Sequence, residues 1–119
     1  MIMNKKMEIK KWDIFLADLE PQCGTEVGKV RPVLVIQTDL LNQVHKSTLI
    51  CPLSSQVYSH TYITRIFVEK DIGLKTDSDI LIDQITAIDN RRLVRKLTVL
   101  PEKYWHKVLE NISILFDLY

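Results

Sequence analysis

A chain of 119 residues with 46% apolar side chains has room for one domain and enough material for a core. Sixteen Lys plus Arg stand against fifteen Asp plus Glu, a formal charge of +1, so global charge gives no sign of nucleic acid and any polyanion site is a local patch. The two cysteines, Cys23 and Cys51, form no CxxC and no Cys/His cluster, which argues against a disulfide scaffold or a zinc site and for a reducing compartment, the cytoplasm.

Met1 to Lys11 is basic, lacks an apolar run of signal-peptide length and reads as a flexible arm on a single domain spanning 1–119; Met1, Met3 and Met7 are alternative starts. Nowhere do about 18 uncharged apolar residues occur together, so neither export nor a membrane span is expected. Trp12 to Leu19 is aromatic and branched and reads as a first strand, stopped at Glu20-Pro21. Pro21 to Lys29 is long for a hairpin loop and reads as a flap over a site. Val30 to Gln37 is a second strand, and its unbroken run Val33 to Ile36 suits burial on both faces. Thr38 to Asn42 is a single helical turn, with Thr38 or Asp39 as N-cap and Asn42 as stop. Thr48 to Leu53 is a third strand; Pro52 lacks an amide donor and is expected at an edge or a bulge.

Ser54-Ser55-Gln56 ends that strand, and Val57 to Thr61 reads as a mobile connection. Ile63 to Glu69 is a strand, and Gly73 marks a turn. In Ile80 to Ile88, Leu81, Ile85 and Ile88 fall at helical spacing, but the β-branched content predicts a strand. Arg91, Arg92, Arg95 and Lys96 read as a solvated turn. A helix is expected from Pro101, with Trp105, Val108, Leu109, Ile112, Leu115, Phe116 and Tyr119 as its core stripe. Ile114 and Leu118 lie on nearly the opposite face, which calls for a second copy or a partner there. Five or six short strands and one C-terminal helix predict a mainly β fold curled into a small barrel.

Function concentrates at Gly24 to Gln37. Gly24 and Gly28 bracket Glu26 in a bend where backbone can approach a ligand closely, and Arg31 stands where this loop enters a rigid strand, a suitable place for an anion-handling fork. Each residue has a plainer role open to it. Arg31 could pair with Glu26 or Asp83 to pin the flap; Ser54 and Ser55 could cap a strand end; Asp83 and Gln84 could be hydrogen bonders at the barrel mouth. His45, His60 and His106 are scattered and form no two-histidine ribonuclease arrangement, while Cys23 and Cys51 read as a loop thiol and a packed strand residue.

Gly24-Thr25-Glu26 with Val30-Arg31-Pro32-Val33-Leu34-Val35-Ile36, then Leu53-Ser54-Ser55-Gln56, Asp77-Ser78, Ile80-Leu81-Ile82-Asp83-Gln84-Ile85 and Ile88-Asp89-Asn90-Arg91-Arg92-Leu93, resembles the MazF/PemK family of toxin endoribonucleases. Order and spacing match from about Trp12 to the C-terminus. The resemblance implies a dimeric, SH3-like curled barrel that cleaves single-stranded RNA at short sequences. It further implies 2',3'-cyclic phosphate and 5'-hydroxyl ends, no metal or other cofactor, and silencing by an acidic antitoxin. On the same resemblance Arg31 and Ser54 match the catalytic arginine and hydroxyl, Ser54 standing where many members carry threonine and Thr25 where many carry serine. Thr25, Lys29, Ser55, Gln56, Asp83 and Gln84 are then the RNA-binding candidates, Asp83 and Gln84 reading splayed base edges.

When a ribose 2'-hydroxyl attacks its own phosphodiester, charge grows on the nonbridging and leaving oxygens, and a forked cation such as Arg31 answers it. A guanidinium carries donors only and makes a poor general base, so Glu26 is the candidate base and Ser54 a donor to phosphate or an orienter of the 2'-hydroxyl. Two other classes stay open: a non-enzymatic CcdB-like poison of a topoisomerase, indifferent to Arg31, and a plain SH3-like interaction module.

Overall fold

A computed structural model of the chain describes residues 7–19, 30–58 and 63–118. Within them run β1 (Asp13–Asp18), β2 (Val30–Val35), α1 (Asp39–Asn42), β3 (Ser47–Ser54), β4 (Arg65–Val68), β5 (Ser78–Leu81), β6 (Thr86–Asp89), β7 (Leu93–Val99) and α2 (Trp105–Leu115). Every strand pairing is antiparallel, in the order β4-β5-β3-β2-β1-β7, with β6 also on β3. The eight-residue β3 organises the sheet. One side pairs with β2; the other pairs with β6 over Ser47 to Ile50 and with β5 at Leu53 and Ser54. Splitting its partners this way curls the sheet, and among the described residues no pairing joins the edge strands β4 and β7 to close it.

Neighbours in sequence part to two cores, as the period of two requires. Ile14, Leu34, Cys51, Leu53, Ile66, Val68, Ile80 and Ile82 join one cluster, which α2 covers with Val108, Trp105 and Ile112. Phe15, Val33, Val35, Ile50, Ile88 and Leu93 join the other. The apolar run in β2 is unbroken because both of its faces are buried. Trp12 stacks on Trp105 with centroids 5.0 Å apart, and the Trp105 indole donates to the Leu100 carbonyl at 2.7 Å, fastening α2 to the start of β1. Thr38 caps α1 by accepting from the Leu40 amide.

Several expectations change. Ile80 to Ile88 is not one strand: β5 and β6 are separated by a 3-10 turn, Ile82–Gln84, because Ile80 and Ile82 pack in the first core and Ile88 in the second. Pro52 lies in a central strand rather than at an edge or bulge; it falls between Ile50, where β6 stops, and Leu53, where β5 begins, so no partner on that side needs its missing amide. Only Arg91 and Arg92 of the basic run sit in a turn; Arg95 and Lys96 belong to the edge strand β7, opposite Leu16 and Phe15. The helix begins with a 3-10 turn, Glu102–Tyr104, and among the described residues its stripe is core only at Trp105, Val108 and Ile112; Leu109, Leu115 and Phe116 are exposed, and Tyr119 lies outside the described residues. In the expected arm, Ile9 is buried and the Lys10 and Lys11 amides donate to Asp13 and Asp39, so the chain is anchored from Ile9 onward.

Candidate active site

Register brings the two chief candidates together. Ala17 of β1 pairs with Arg31 of β2, and the β2–β3 register, Val33 opposite Pro52, continued by two residues sets Arg31 level with Ser54. Both lie at strand ends that open into a cleft of about 970 Å³. Ser55, Gln56, Lys75, Thr76, Ser78 and Arg95 are its other polar lining residues, and Leu16, Val30, Pro32, Leu53, Leu74 and Leu97 its apolar ones. Arg31 is half-buried and makes no ion pair with a described carboxylate; Asp83 does not line the cleft, so a pin between these two is not formed.

The Ser54 hydroxyl accepts from the Gln56 amide at 3.1 Å, which occupies one lone pair and leaves its O–H to be donated. A buried clamp holds the segment that follows. Asp79 of β5 pairs with Ser54 in the β3–β5 ladder, and its Oδ2 accepts from the Tyr58 amide at 3.0 Å and from Arg65 Nη1 at 3.1 Å. Arg65 Nη1 also donates to the Gln56 carbonyl at 2.9 Å, and its guanidinium lies 4.4 Å from the Tyr58 ring centroid. The Tyr58 hydroxyl reaches Gln56 Oε1 at 3.3 Å.

Gln84 lines a second, shallower cleft of about 590 Å³ with Leu19, Pro52, Thr86 and Arg92, and Asp83 lies exposed in the neighbouring turn. Within one chain, then, Arg31, Ser54, Ser55 and Gln56 share a cleft that Asp83 and Gln84 do not line. Thr25, Glu26 and Lys29 lie outside the described residues, as do Cys23 and His60. Burial, with a smaller push from the Asp83 charge, raises the Cys51 thiol to about 12. Among the described residues no three His, Cys, Asp or Glu side chains come together as metal ligands, and no helix is long and apolar enough to cross a membrane. Sequence reasoning passes over Lys75 and Thr76 and reads Arg95 only as part of a solvated basic turn. The visible signal for Arg95 was Leu93-Val94 and Leu97-Thr98-Val99 flanking it, strand-forming residues on both sides of two charges.

A curled antiparallel sheet with an arginine, serines and further cations at one cleft defines a small β protein equipped to hold an anionic ligand. The model of the family described as PemK-like, MazF-like toxin of type II toxin-antitoxin system matches residues 10–116, and the chain belongs to that family. It is 38% identical over 113 residues to Endoribonuclease EndoA of Bacillus subtilis, covering 94% of this chain and 97% of that protein. It is 34% identical over 112 residues to Endoribonuclease MazF of Staphylococcus saprophyticus, covering 93% of each. The fold is similar to that in a MazE-MazF crystal structure from Deinococcus radiodurans, with TM-score 0.81 at 21% identity over 96% of this chain and 100% of that one. It is also similar to Mycobacterium tuberculosis toxin MazF-mt6, with TM-score 0.75 at 23% identity over 88% and 96% of the two chains.

Proposed function

We propose that this chain is the toxin of a toxin–antitoxin pair and an endoribonuclease that cuts single-stranded RNA with the substrate's own 2'-hydroxyl as nucleophile. The convergence of Arg31 and Ser54 on one cleft carries the reading, and the endoribonuclease names of relatives at 34% and 38% identity support it. The 2'-oxygen forms a bond to phosphorus as the bond from phosphorus to the 5'-oxygen breaks, leaving a 2',3'-cyclic phosphate and a 5'-hydroxyl. Arg31 offers parallel donors to the phosphorane oxygens, and the Ser54 O–H donates to phosphate or orients the 2'-hydroxyl. Glu26 is the proposed base for the 2'-proton, and the departing 5'-oxygen takes up a proton from solvent water to leave as the 5'-hydroxyl. Because the fork supplies the positive charge, the step needs no metal.

Ser55 and Gln56, held by the clamp beside Ser54, and Thr25, Lys29, Asp83 and Gln84 are the proposed RNA contacts that give sequence selectivity. An acidic antitoxin is the proposed silencing partner, in keeping with the family's description and with the MazE-MazF complex of similar fold. The apolar end of α2 supports a homodimer. Incubating purified protein with mixed-sequence single-stranded RNA, with and without EDTA, and mapping the ends tests the reading. Cleavage at a short sequence is expected, indifferent to chelator, with cyclic-phosphate and 5'-hydroxyl ends and with no cutting where the attacked linkage carries a 2'-deoxyribose. Cleavage of that deoxy substrate would assign the attack to water instead, and a toxic protein that cuts no RNA would move the target to a protein.

A further inference from the structure

We propose that Lys75 and Arg95 form a second phosphate subsite in the Arg31–Ser54 cleft, gripping the RNA backbone at a linkage adjoining the one that is cut. The inference rests on the nuclease reading above and deepens it. Its starting point is how the basic run is disposed. Arg91 donates to Asp89 through Nε and Nη2, both at 3.0 Å, and holds that carboxyl down to about 2; Lys96 Nζ lies 3.3 Å from buried Asp13; Arg92 Nη1 donates to the Asp18 carbonyl at 3.2 Å. Arg95 makes no such pairing with a described residue, and it is the member of the run that lines the cleft.

Lys75 and Arg31 are likewise without a described counter-ion, and both line the same cleft. The three cations share it with the hydroxyls of Ser54, Ser55 and Thr76, and no carboxylate is among its described lining residues. In a chain whose formal charge is only +1, three cations with no counter-ion among the described residues stand around one concavity, repel one another and focus positive potential there, which favours a ligand with more than one negative charge. The wall they stand on is fixed. Arg95 pairs with Leu16 in the β1–β7 ladder. The Lys75 loop is laced to β7 by the Thr98 hydroxyl, which donates to the Ile72 carbonyl at 2.7 Å, and Gly73 sits so close that an added Cβ would come within 2.7 Å of Thr98 Cβ.

A phosphodiester chain fits this arrangement better than an acidic peptide does. The linkage at Arg31 and Ser54 is followed along the same strand by another phosphate, and guanidinium, ammonium and hydroxyl donors around a groove suit phosphate oxygens.

The test uses full-length protein and an RNA carrying 2'-deoxyribose at the mapped cut, with affinity measured against KCl concentration. Each single-strand phosphate contact contributes about 0.7 to the slope of log K on log salt, so Lys75→Gln and Arg95→Gln are each expected to flatten it by about 0.7. Arg95→Lys and Lys75→Arg should keep the wild-type slope, whereas a role confined to folding would not be rescued by charge alone. A neutral methylphosphonate at one adjoining linkage should flatten the wild-type slope by about the same amount and add nothing once both cations are neutralised, in Lys75→Gln combined with Arg95→Gln. Wild-type slopes in both Gln variants overturn the subsite. So does lost affinity for a glutamate-rich peptide with RNA slopes unchanged, which would assign the two cations to an acidic protein. Cleavage with unchanged slopes leaves the nuclease reading standing and removes only the subsite. Absence of cleavage with slopes that still fall removes the nuclease reading, and with it the placement beside a cut linkage.

Discussion

Arg31 occupies the residue where β2 leaves a two-sided core and meets solvent, so its backbone is rigid while its guanidinium faces the cleft. Arg31→Lys separates a catalytic fork from a mere positive charge. If Arg31 only attracts RNA, the loss should be about 1 kcal/mol or less. If it clamps the phosphorane with two parallel donors, a point charge cannot replace it, and single-turnover cleavage should fall roughly 10²- to 10³-fold, about 3 to 4 kcal/mol. Near wild-type cleavage by Arg31→Lys would remove Arg31 from the chemistry. Cys51 is a second residue whose surroundings decide its behaviour. Buried and pushed up to about 12, its thiol should resist alkylation in the native protein at neutral pH and react on unfolding. The folded state keeps the proton that the unfolded chain releases from about pH 9 upward, so this group subtracts stability as pH rises through that range, by up to about 1.4 kcal/mol per unit. Urea titrations from pH 8 to 10.5 should therefore show a shallower decline in Cys51→Ala than in wild type. Equal declines would show that burial does not hold the thiol neutral.

At the scale of elements, the segment Ser54 to Tyr58 owes its course to β4 and β5 rather than to β3, which it continues. Asp79 is 1% exposed and joins the Tyr58 amide, Arg65 and, through Arg65, the Gln56 carbonyl. Asp79→Asn keeps the shape but not the charge, and should cost about 2 kcal/mol in stability, the scale of hydrogen bonds to charged groups. If the clamp aims Ser54, single-turnover cleavage at a temperature well below unfolding should also fall; a melting shift with an unchanged rate would make the clamp structural only. Gly73, at φ 121° and pressed against Thr98, should not accept a side chain: Gly73→Ala is expected to lose roughly 1 to 3 kcal/mol in chemical denaturation. These elements also show what the sequence could disclose. β1, β2 and β3 were legible because alternation and unbroken apolar runs report faces directly. β7 was not, because its exposed positions carry the charges of a turn, and the β5–β6 break was hidden because a switch between cores imitates helical spacing. Arg31 and Ser54 could be paired through family resemblance, but Lys75 and Arg95 join them only through the β1–β7 register and the Thr98 tie, contacts between distant segments that no local pattern records.

At the scale of the whole molecule, the C-terminal end carries an apolar surface without a role inside a single chain. Leu109, Ile114 and Leu115 of α2 and Phe116 and Leu118 just past its end stand exposed, with Phe116 at 56% and Leu118 at 67%. The same helix buries Val108 in the first core, and buried Asn111 donates to the Ile63 carbonyl at 3.0 Å, so the helix is held in place while its C-terminal end carries apolar side chains into solvent. Scattered exposed leucines need no explanation, but five large exposed apolar side chains within ten residues at one helix end are a concentration suited to an interface. The occupant proposed is a second copy, which by two-fold symmetry would set the two patches against each other. Each Phe or Leu so buried stabilises the dimer by about 1.5 to 3 kcal/mol, and a charge in its place loses that and adds a desolvation cost. Sedimentation equilibrium at micromolar concentration should therefore give twice the 13.9 kDa chain mass, and Phe116→Glu should raise the dimer dissociation constant by about 100-fold or more with the far-ultraviolet spectrum retained. A wild-type protein that stays at the single-chain mass while Phe116→Glu weakens antitoxin binding would assign this face to the antitoxin, and the dimer would have to form elsewhere or not at all.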